Sequence, residues 1–283
     1  MKNAERGVAL VIVLWGVTLL SLLAASFAQS TGLAARRMLH AVEAAEARAR
    51  LDELLSVAVI ALTQPDPLQR WRSDGKPHAV ILPGAKGEVR VIAEAGRIDL
   101  NHAPPLLLQS LLRNLSGDAA AGDRLAGWLA ARTAEKDGRP FLSIAELAAY
   151  PAMNAALYDR LAPAVTVHNP SGKVNWRYAG RAALSAIPGI SGGQVATLLA
   201  GQRQSQYTPD AALADLLTKG GASDDQADEL AGSGAKMVTL LMRITLAGHA
   251  SAGVEALLQL PAAPGQNFRL LEWRAPANLP DAP

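Results

Sequence analysis

Residues 1–28 read MKNAERGVALVIVLWGVTLLSLLAASFA, a short leader with Lys2 and Arg6 that ends in Gly7 and runs directly into an apolar block. From Val8 to Ala28 no residue is charged. That length suffices to cross a hydrocarbon core of roughly 30 Å at about 1.5 Å per helical residue. A removable export signal has an apolar core of only about 7 to 15 residues, although Ser26-Phe27-Ala28 before Gln29 offers a small-x-small cleavage site. A retained span is therefore expected over 8–28, with the leader basic residues favouring a cytoplasmic N-terminus and Arg36 and Arg37 blunting that asymmetry.

The helical pattern continues past the apolar block. GLAARRMLHAVEAAEARARLDELLSVAVIALTQ contains no proline and reaches Gln64 before Pro65 and Pro67 end it. One helix is expected from about Val8 to Leu62, on the order of 80 Å long. In its polar half Leu39, Val42, Leu51, Leu54, Leu55 and Ile60 are expected on or near one face, with Glu43, Glu46, Arg50 and Glu53 on the others and Glu46–Arg50 spaced for an i,i+4 pair.

Composition narrows the remainder. The chain has 283 residues, half of them apolar, 27 basic against 25 acidic residues, and no cysteine. A disulfide framework and a zinc-thiolate site are excluded, and the charge forms no run that would mark a nucleic-acid partner. HAVILP and EVRVIAEAG read as two strands around a PGAKG turn, and in RIDLNHAPPLLLQSLL an extended lead-in ends at Asn101, an N-cap candidate for a helix after the prolines. Seven segments between Leu106 and Ala231 carry helical patterns, from LLLQSLLRNL through AGDRLAGWLAARTA to SGGQVATLLAGQR and DAALADLLTK. RIDLNHAPPLLLQSLL and KVNWRYAGRAALSAIPGI form a weak internal echo. MVTLLMRITLAG and FRLLEWR read as strands, VEALLQL between them as helix or strand, and the end NLPDAP as frayed.

The fold class is thus α+β: a long N-terminal helix, transmembrane then amphipathic, packed on a small antiparallel sheet, with a large all-helical domain inserted. The expected boundaries are a leader 1–7, the helix 8–64, a first sheet portion 65–100, the helical insertion 101–235 and a second sheet portion 236–283.

Few motifs carry chemistry. Ile187-Pro188-Gly189-Ile190 before GGQVATLLAGQR looks like a helix-hairpin-helix, whose backbone N–H groups can hold a DNA phosphate. Residues 171–225 hold five basic and four acidic residues, which argues against DNA binding. His40, His78, His102, His168 and His249 are scattered without metalloenzyme spacing, and no nucleophile elbow, P-loop or dinucleotide fingerprint is present, so no catalytic residue and no enzyme activity are expected. Asp224, Asp225, Asp228 and Glu229 form an acidic cluster that suits calcium chemically but lacks the EF-hand spacing and glycine; charges at a helix start explain it equally.

A basic leader ending in glycine, an apolar helix that turns amphipathic, and a mixed globular domain resemble the type IV pilins and pseudopilins. That resemblance implies cleavage by a prepilin peptidase between Gly7 and Val8 and N-methylation of Val8. Most members carry glutamate at the fifth mature position, where this chain has Ile12. In lacking it the chain is similar to the K-type (GspK) minor pseudopilins of type II secretion systems, as it is in IDLNHAPPLLLQSLL, RPFLSIAEL with LAPAVTVH, and VNWRYAGRAALSAIPGIS. The resemblance implies a non-enzymatic inner-membrane protein with its C-terminal domain in the periplasm. It would sit at the tip of the pseudopilus with the I- and J-type minor pseudopilins, above the major pseudopilin filament, in export of folded proteins across the outer membrane. No cofactor is required on this reading; the resemblance allows for calcium but assigns no ligand. The alternative is a membrane-anchored helix-hairpin-helix DNA-binding protein of the competence type.

A glutamate inside the bilayer costs several kcal/mol unless paired, and the N-terminal amine of a neighbouring subunit is its natural partner. A subunit with Ile12 offers no such pairing, which suits the end of a filament.

Overall fold

The computed structural model describes residues 2–66, 68–134, 138–204, 226, 230, 236–247, 251–261 and 267–275, leaving aside the side chains of 2–12, 23–37, 40, 134, 203 and 204. Helix α1 spans Lys2–Leu62. It ends before Pro65 because the residue preceding a proline is pushed out of the helical region. Strands β1 (Asp74–Leu82) and β2 (Ala85–Ala93) form a hairpin, followed by a 3-10 turn at Glu94–Gly96. The central block comprises β3 (Ile98–Asp99), α2 (Pro105–Ser116), α3 (Ala119–Ala134), a 3-10 segment (Ile144–Ala149), α4 (Ala155–Leu161), β4 (Val165–Thr166), α5 (Arg181–Ser185) and α6 (Gly192–Gln204). Strands β5 (Met237–Leu246), β6 (Ser251–Gln259) and β7 (Arg269–Arg274) follow. The fold is mixed α+β, with an antiparallel sheet in the order β1-β2-β5-β6-β7; β3 and β4 pair separately in parallel.

VEALLQL, open between helix and strand by pattern, lies in β6. Val254, Ala256 and Leu258 point to the core at a period of two, which only an extended chain provides. The PGAKG turn shortens to Pro83-Gly84, because Leu82 and Ala85 pair directly and Gly84 takes the left-handed conformation, φ +73°. Gly87 stays in the strand beneath α1: a Cβ there would lie 2.8 Å from Leu54 Cδ1. Asn101 does not cap α2. Pro104 occupies the N-cap and Pro105 the first turn, where a missing N–H costs nothing. Asn101 instead brackets Phe141, its amide donating to the Phe141 carbonyl at 3.0 Å and its oxygen accepting the Phe141 N–H at 2.8 Å.

Two cores form. Ala47, Leu51, Leu54, Leu55, Ala58 and Leu62 of α1 are buried against Val89, Val91, Leu240, Met242, Ile244 and Ala256 of the sheet. The other core, around Leu107, Leu111, Leu125, Phe141, Leu161, Trp176 and Leu184, belongs to the helical block and includes Ile98 and Leu100. The packed face of α1 is narrower than its sequence pattern. Leu51, Leu54 and Leu55 are buried, but Leu39, Val42 and Ile60 are exposed. At 100° per residue Val42 and Ile60 lie almost opposite the centre of the buried stripe, and Leu39 precedes the first residue the sheet reaches.

The internal echo is a structural repeat. Asp99 and Asn175 hold equivalent places: each carbonyl accepts the N–H four residues on, of Ala103 and Ala179, at 3.1 Å. Pro104 and Gly180 are the N-caps of α2 and α5, and the helix pairs α2–α3 and α5–α6 both turn through a left-handed glycine, Gly117 (φ 76°) and Gly189 (φ 75°).

The block and the N-terminal arm leave the sheet at opposite ends. Ala93 pairs with Val238, Met237 with Gln259, and Asp74 with Ile92, so the helical block departs from and returns to one end of the sheet. The C-terminal end of α1 lies there too, since Trp71 N–H donates to Ala61 O and Ala93 N–H to Ser73 O. The Pro83-Gly84 turn marks the other end. Past it runs the part of α1 before Ala47, roughly 65–70 Å of helix.

Candidate assembly surfaces

The functional surface expected here is a helix face rather than a pocket. In the described stretch of the apolar segment Val13, Leu14, Trp15, Val17, Leu19, Leu20 and Leu22 are all exposed, on every side of the helix. The hydroxyls there are satisfied within the helix, Thr18 Oγ1 donating to Leu14 O and Ser21 Oγ to Val17 O, both at 2.8 Å. A helix apolar all round is built to be surrounded by lipid or other helices, not to face water. Among the described residues no helix is long and apolar enough to cross a membrane; the side chains of 8–12 and 23–28, which complete the expected span, lie outside them. Gly7, Val8 and Ile12 fall within the α1 backbone, their side chains likewise outside the described residues.

Further along α1 the charges pair differently from the sequence spacing. Arg50 does not engage Glu46; its Nη1 meets Glu53 Oε2 at 2.9 Å, an i,i+3 pair, and Arg48 Nε lies 3.4 Å from Asp52 Oδ1. Both spacings bring side chains together on a helix, and Arg50 and Glu53 are the more shielded of the two pairs.

The joint between sheet and helical block is polar and buried. Glu94, 1% exposed, accepts the Thr239 hydroxyl of β5 on Oε1 at 2.6 Å and the Thr166 hydroxyl of β4 on Oε2, with Arg97 Nη1 3.3 Å away. One carboxylate thus ties a strand of each unit. Next to it the Ala95 carbonyl accepts Asn175 N–H at 2.7 Å, and Gly96 abuts the Tyr178 carbonyl so closely that a Cβ would lie 2.3 Å from its oxygen. Asp99, fully buried, accepts backbone N–H groups of Asn101 (2.8 Å), His102 (3.0 Å) and Asn169 (2.8 Å), with His102 Nδ1 at 2.9 Å. A buried carboxylate surrounded by donors is the arrangement that makes such burial tolerable. No sequence motif announces this joint. Beyond it His168 Nε2 lies 3.5 Å from Glu272 of β7, and burial pushes the pKa of the Tyr158 phenol above its ordinary value, with Arg274 opposing the rise and Glu255 adding to it.

The helix-hairpin-helix turns are present but their anion sites are occupied. Asp118 accepts the N–H groups of Ala120 and Ala121 at 3.2 and 3.0 Å, so a carboxylate already sits at the start of α3. At α6 Ser191 Oγ accepts Gln194 N–H and Gln194 Oε1 accepts Ser191 N–H, a capping box. A phosphate would have to displace both, which weighs against the DNA-binding alternative. Within the block Ser143 and Glu146 form another such box, and the N–H groups of Leu142 and Ser143 together with Arg132 hold the Glu146 carboxyl below its usual range.

Among the described residues no three His, Asp or Glu side chains gather into a metal site. Asp224, Asp225, Asp228, Glu229 and His249 lie outside the described residues. His78 stacks on Trp71 at 4.3 Å between ring centroids.

No protein-family model and no curated protein matches the sequence. Among solved structures the chain is similar to one in the crystal structure of the GspK-GspI-GspJ complex from the enterotoxigenic Escherichia coli type 2 secretion system, at 17% identity and a TM-score of 0.62, covering 86% of this chain and 100% of the other. The architecture is a pseudopilin fold. That fold is GspK-like, matched along the whole length of the other chain.

Proposed function

We propose that this protein is a non-enzymatic minor pseudopilin at the tip of a type II secretion pseudopilus, helping to export folded proteins across the outer membrane. The observation that carries the reading is the opposed exit of the N-terminal helix and the helical block from the sheet. A filament whose subunits are joined through α1 grows at the arm end, and a bulky unit on the far end obstructs a further subunit there. On this reading the chain is clipped by prepilin peptidase between Gly7 and Val8, methylated on Val8, and held in the inner membrane by residues 8–28, with its N-terminus cytoplasmic and its sheet and helical block periplasmic. Its partners are I- and J-type minor pseudopilins, followed by the major pseudopilin. No cofactor is required on this reading.

The test is co-assembly. Mixed with the I- and J-type minor pseudopilins of the same host, the protein is expected to form a complex of one copy of each, measured by light scattering after gel filtration. Three components eluting separately would remove the proposal.

Ile12 supplies a second test. Ile12→Glu is expected to insert in the membrane normally, because a single carboxylate among some twenty apolar residues costs only a few kcal/mol, yet to change the lag of filament initiation in reconstituted assembly. An unchanged lag would mean that the missing charge has no part in placing this subunit.

A further inference from the structure

The helical block carries a cleft of about 450 Å³, lined by Trp128, Ala131 and Arg132 of α3 and by Arg139 beyond the end of that helix. Its walls are fixed from behind. The Arg132 guanidinium lies 4.2 Å from the centre of the Phe141 ring and pairs with Glu146. Glu146 is held in turn by the N–H groups of Leu142 (2.8 Å) and Ser143 (3.2 Å), and the Phe141 backbone by the two Asn101 bonds. Trp128, half-buried, packs at a tilt against Phe141 and Tyr150, at 6.0 and 5.4 Å between ring centroids. Groups locked by a second layer of contacts lose little freedom when something binds.

Arg139 is the one polar lining residue without such a task. It is exposed and, among the described residues, makes no hydrogen bond or ion pair. Arg132 and Arg139 against Glu146 leave one net positive charge, which offsets the partial negative charge at the C-terminal end of α3.

The lining selects its ligand by what it lacks. Two guanidiniums, an indole and a methyl group offer donors and apolar surface, and no side-chain acceptor. A neutral sugar needs acceptors for its hydroxyls, and a basic side chain needs a carboxylate. A nucleic-acid strand needs several phosphate contacts, and only one guanidinium here is unengaged. A carboxylate beside an apolar side chain fits both halves of the cleft: the planar fork of an arginine takes two carboxylate oxygens, and an indole covers apolar surface at little entropic cost.

We infer that this cleft binds an acidic peptide segment of another protein, Arg139 taking a carboxylate and Trp128 with Ala131 covering the apolar side chain next to it. The site belongs to the helical block alone and is independent of the assembly role proposed above.

The test uses the full-length protein in lipid nanodiscs and a dye-labelled, amidated hexapeptide, Ser-Asp-Leu-Glu-Leu-Ser, with binding read by fluorescence anisotropy against empty nanodiscs. A dissociation constant below about 1 mM is expected. Replacing the two peptide acids by Asn and Gln, or Arg139 by Ala, is expected to weaken binding about tenfold, and Arg139→Lys about threefold because an ammonium cannot reproduce the fork. Replacing both peptide leucines by serine is expected to cost about tenfold as well. Lys76→Ala, on β1, is expected to leave binding within about twofold and so controls for general charge. Matching unfolding profiles show that the Arg139 variants keep the fold. No saturation by about 1 mM, or equal binding by Arg139→Ala, overturns the assignment. Equal binding of the serine peptide reduces the cleft to a bare anion contact and overturns it too, as does displacement of the peptide by an equimolar thymidine oligonucleotide, which would identify a nucleic-acid site instead.

Discussion

Gly7→Leu is expected to leave the protein at its full, unprocessed length and to reduce secretion of exoproteins to background. The reason is steric and positional. A peptidase that cuts at the membrane surface must reach the bond between residue 7 and Val8 where the leader meets the span, and glycine leaves that bond uncovered by a side chain. A leucine both shields it and extends the apolar segment toward the cytoplasm, drawing the bond deeper. Uncleaved, the chain keeps Lys2, Glu5 and Arg6 at the head of α1, and packing like helices side by side would have to desolvate those charges. N-terminal sequencing reads the outcome directly: a wild-type chain starting at Val8 and a variant starting at Met1. A wild type starting at Gln29 would identify a conventional export signal, and normal secretion by the uncleaved variant would contradict the pseudopilin reading.

The second large effect lies at the joint. Gly96→Ala places a Cβ 2.3 Å from the Tyr178 carbonyl oxygen, 2.4 Å from its carbon and 2.8 Å from Ala179 N, all backbone atoms that no rotamer change can move away. Either the Glu94–Gly96 turn or the Val174–Ala179 segment must shift, disturbing the Asn175 N–H bond to Ala95 and the Glu94 contacts with Thr166 and Thr239. A cost of about 3 kcal/mol is expected, at the upper end for overpacking a tight site. In a chain of this size that lowers the unfolding midpoint by about 6–12 °C. Gly127→Ala is the control of opposite sign. Gly127 lies in α3 with nothing within 4 Å of an added Cβ, so alanine should raise stability by about 0.5–1 kcal/mol through helix propensity alone. Equal midpoints for the two variants would show that the contact at Gly96 is not the constraint the geometry implies.

The fold is legible in the sequence to a degree that differs by element. The end of α1, the first hairpin and most helices of the block follow from local signals: prolines at 65 and 67, alternation in β1 and β2, and leucines at helical spacing. The errors share a cause, since each depended on a distant partner. Asn101 has the type and place of a cap, but Phe141, forty residues on, claims its side chain. Leu39, Val42 and Ile60 extend the apolar pattern of α1 without joining the packed stripe, because apolar residues do not state which surface will cover them. Glu94 and Asp99 gave no signal, because a carboxylate is read as exposed until the hydroxyls and N–H groups that enclose it have been assembled by the fold. Processing at Gly7 and Val8 and the role of Ile12 rest on sequence pattern alone.

The pairing of Ala93 with Val238 has a further consequence. These two residues are direct cross-strand neighbours, so in topological terms everything between them is the connecting loop of one antiparallel hairpin. Bringing the ends of such a loop together costs only about 0.6 kcal/mol more for each doubling of its length. The sheet therefore gains little from a shorter connection, and the helical block, with a core of its own, is free to vary in size without changing the order in which the strands are laid down.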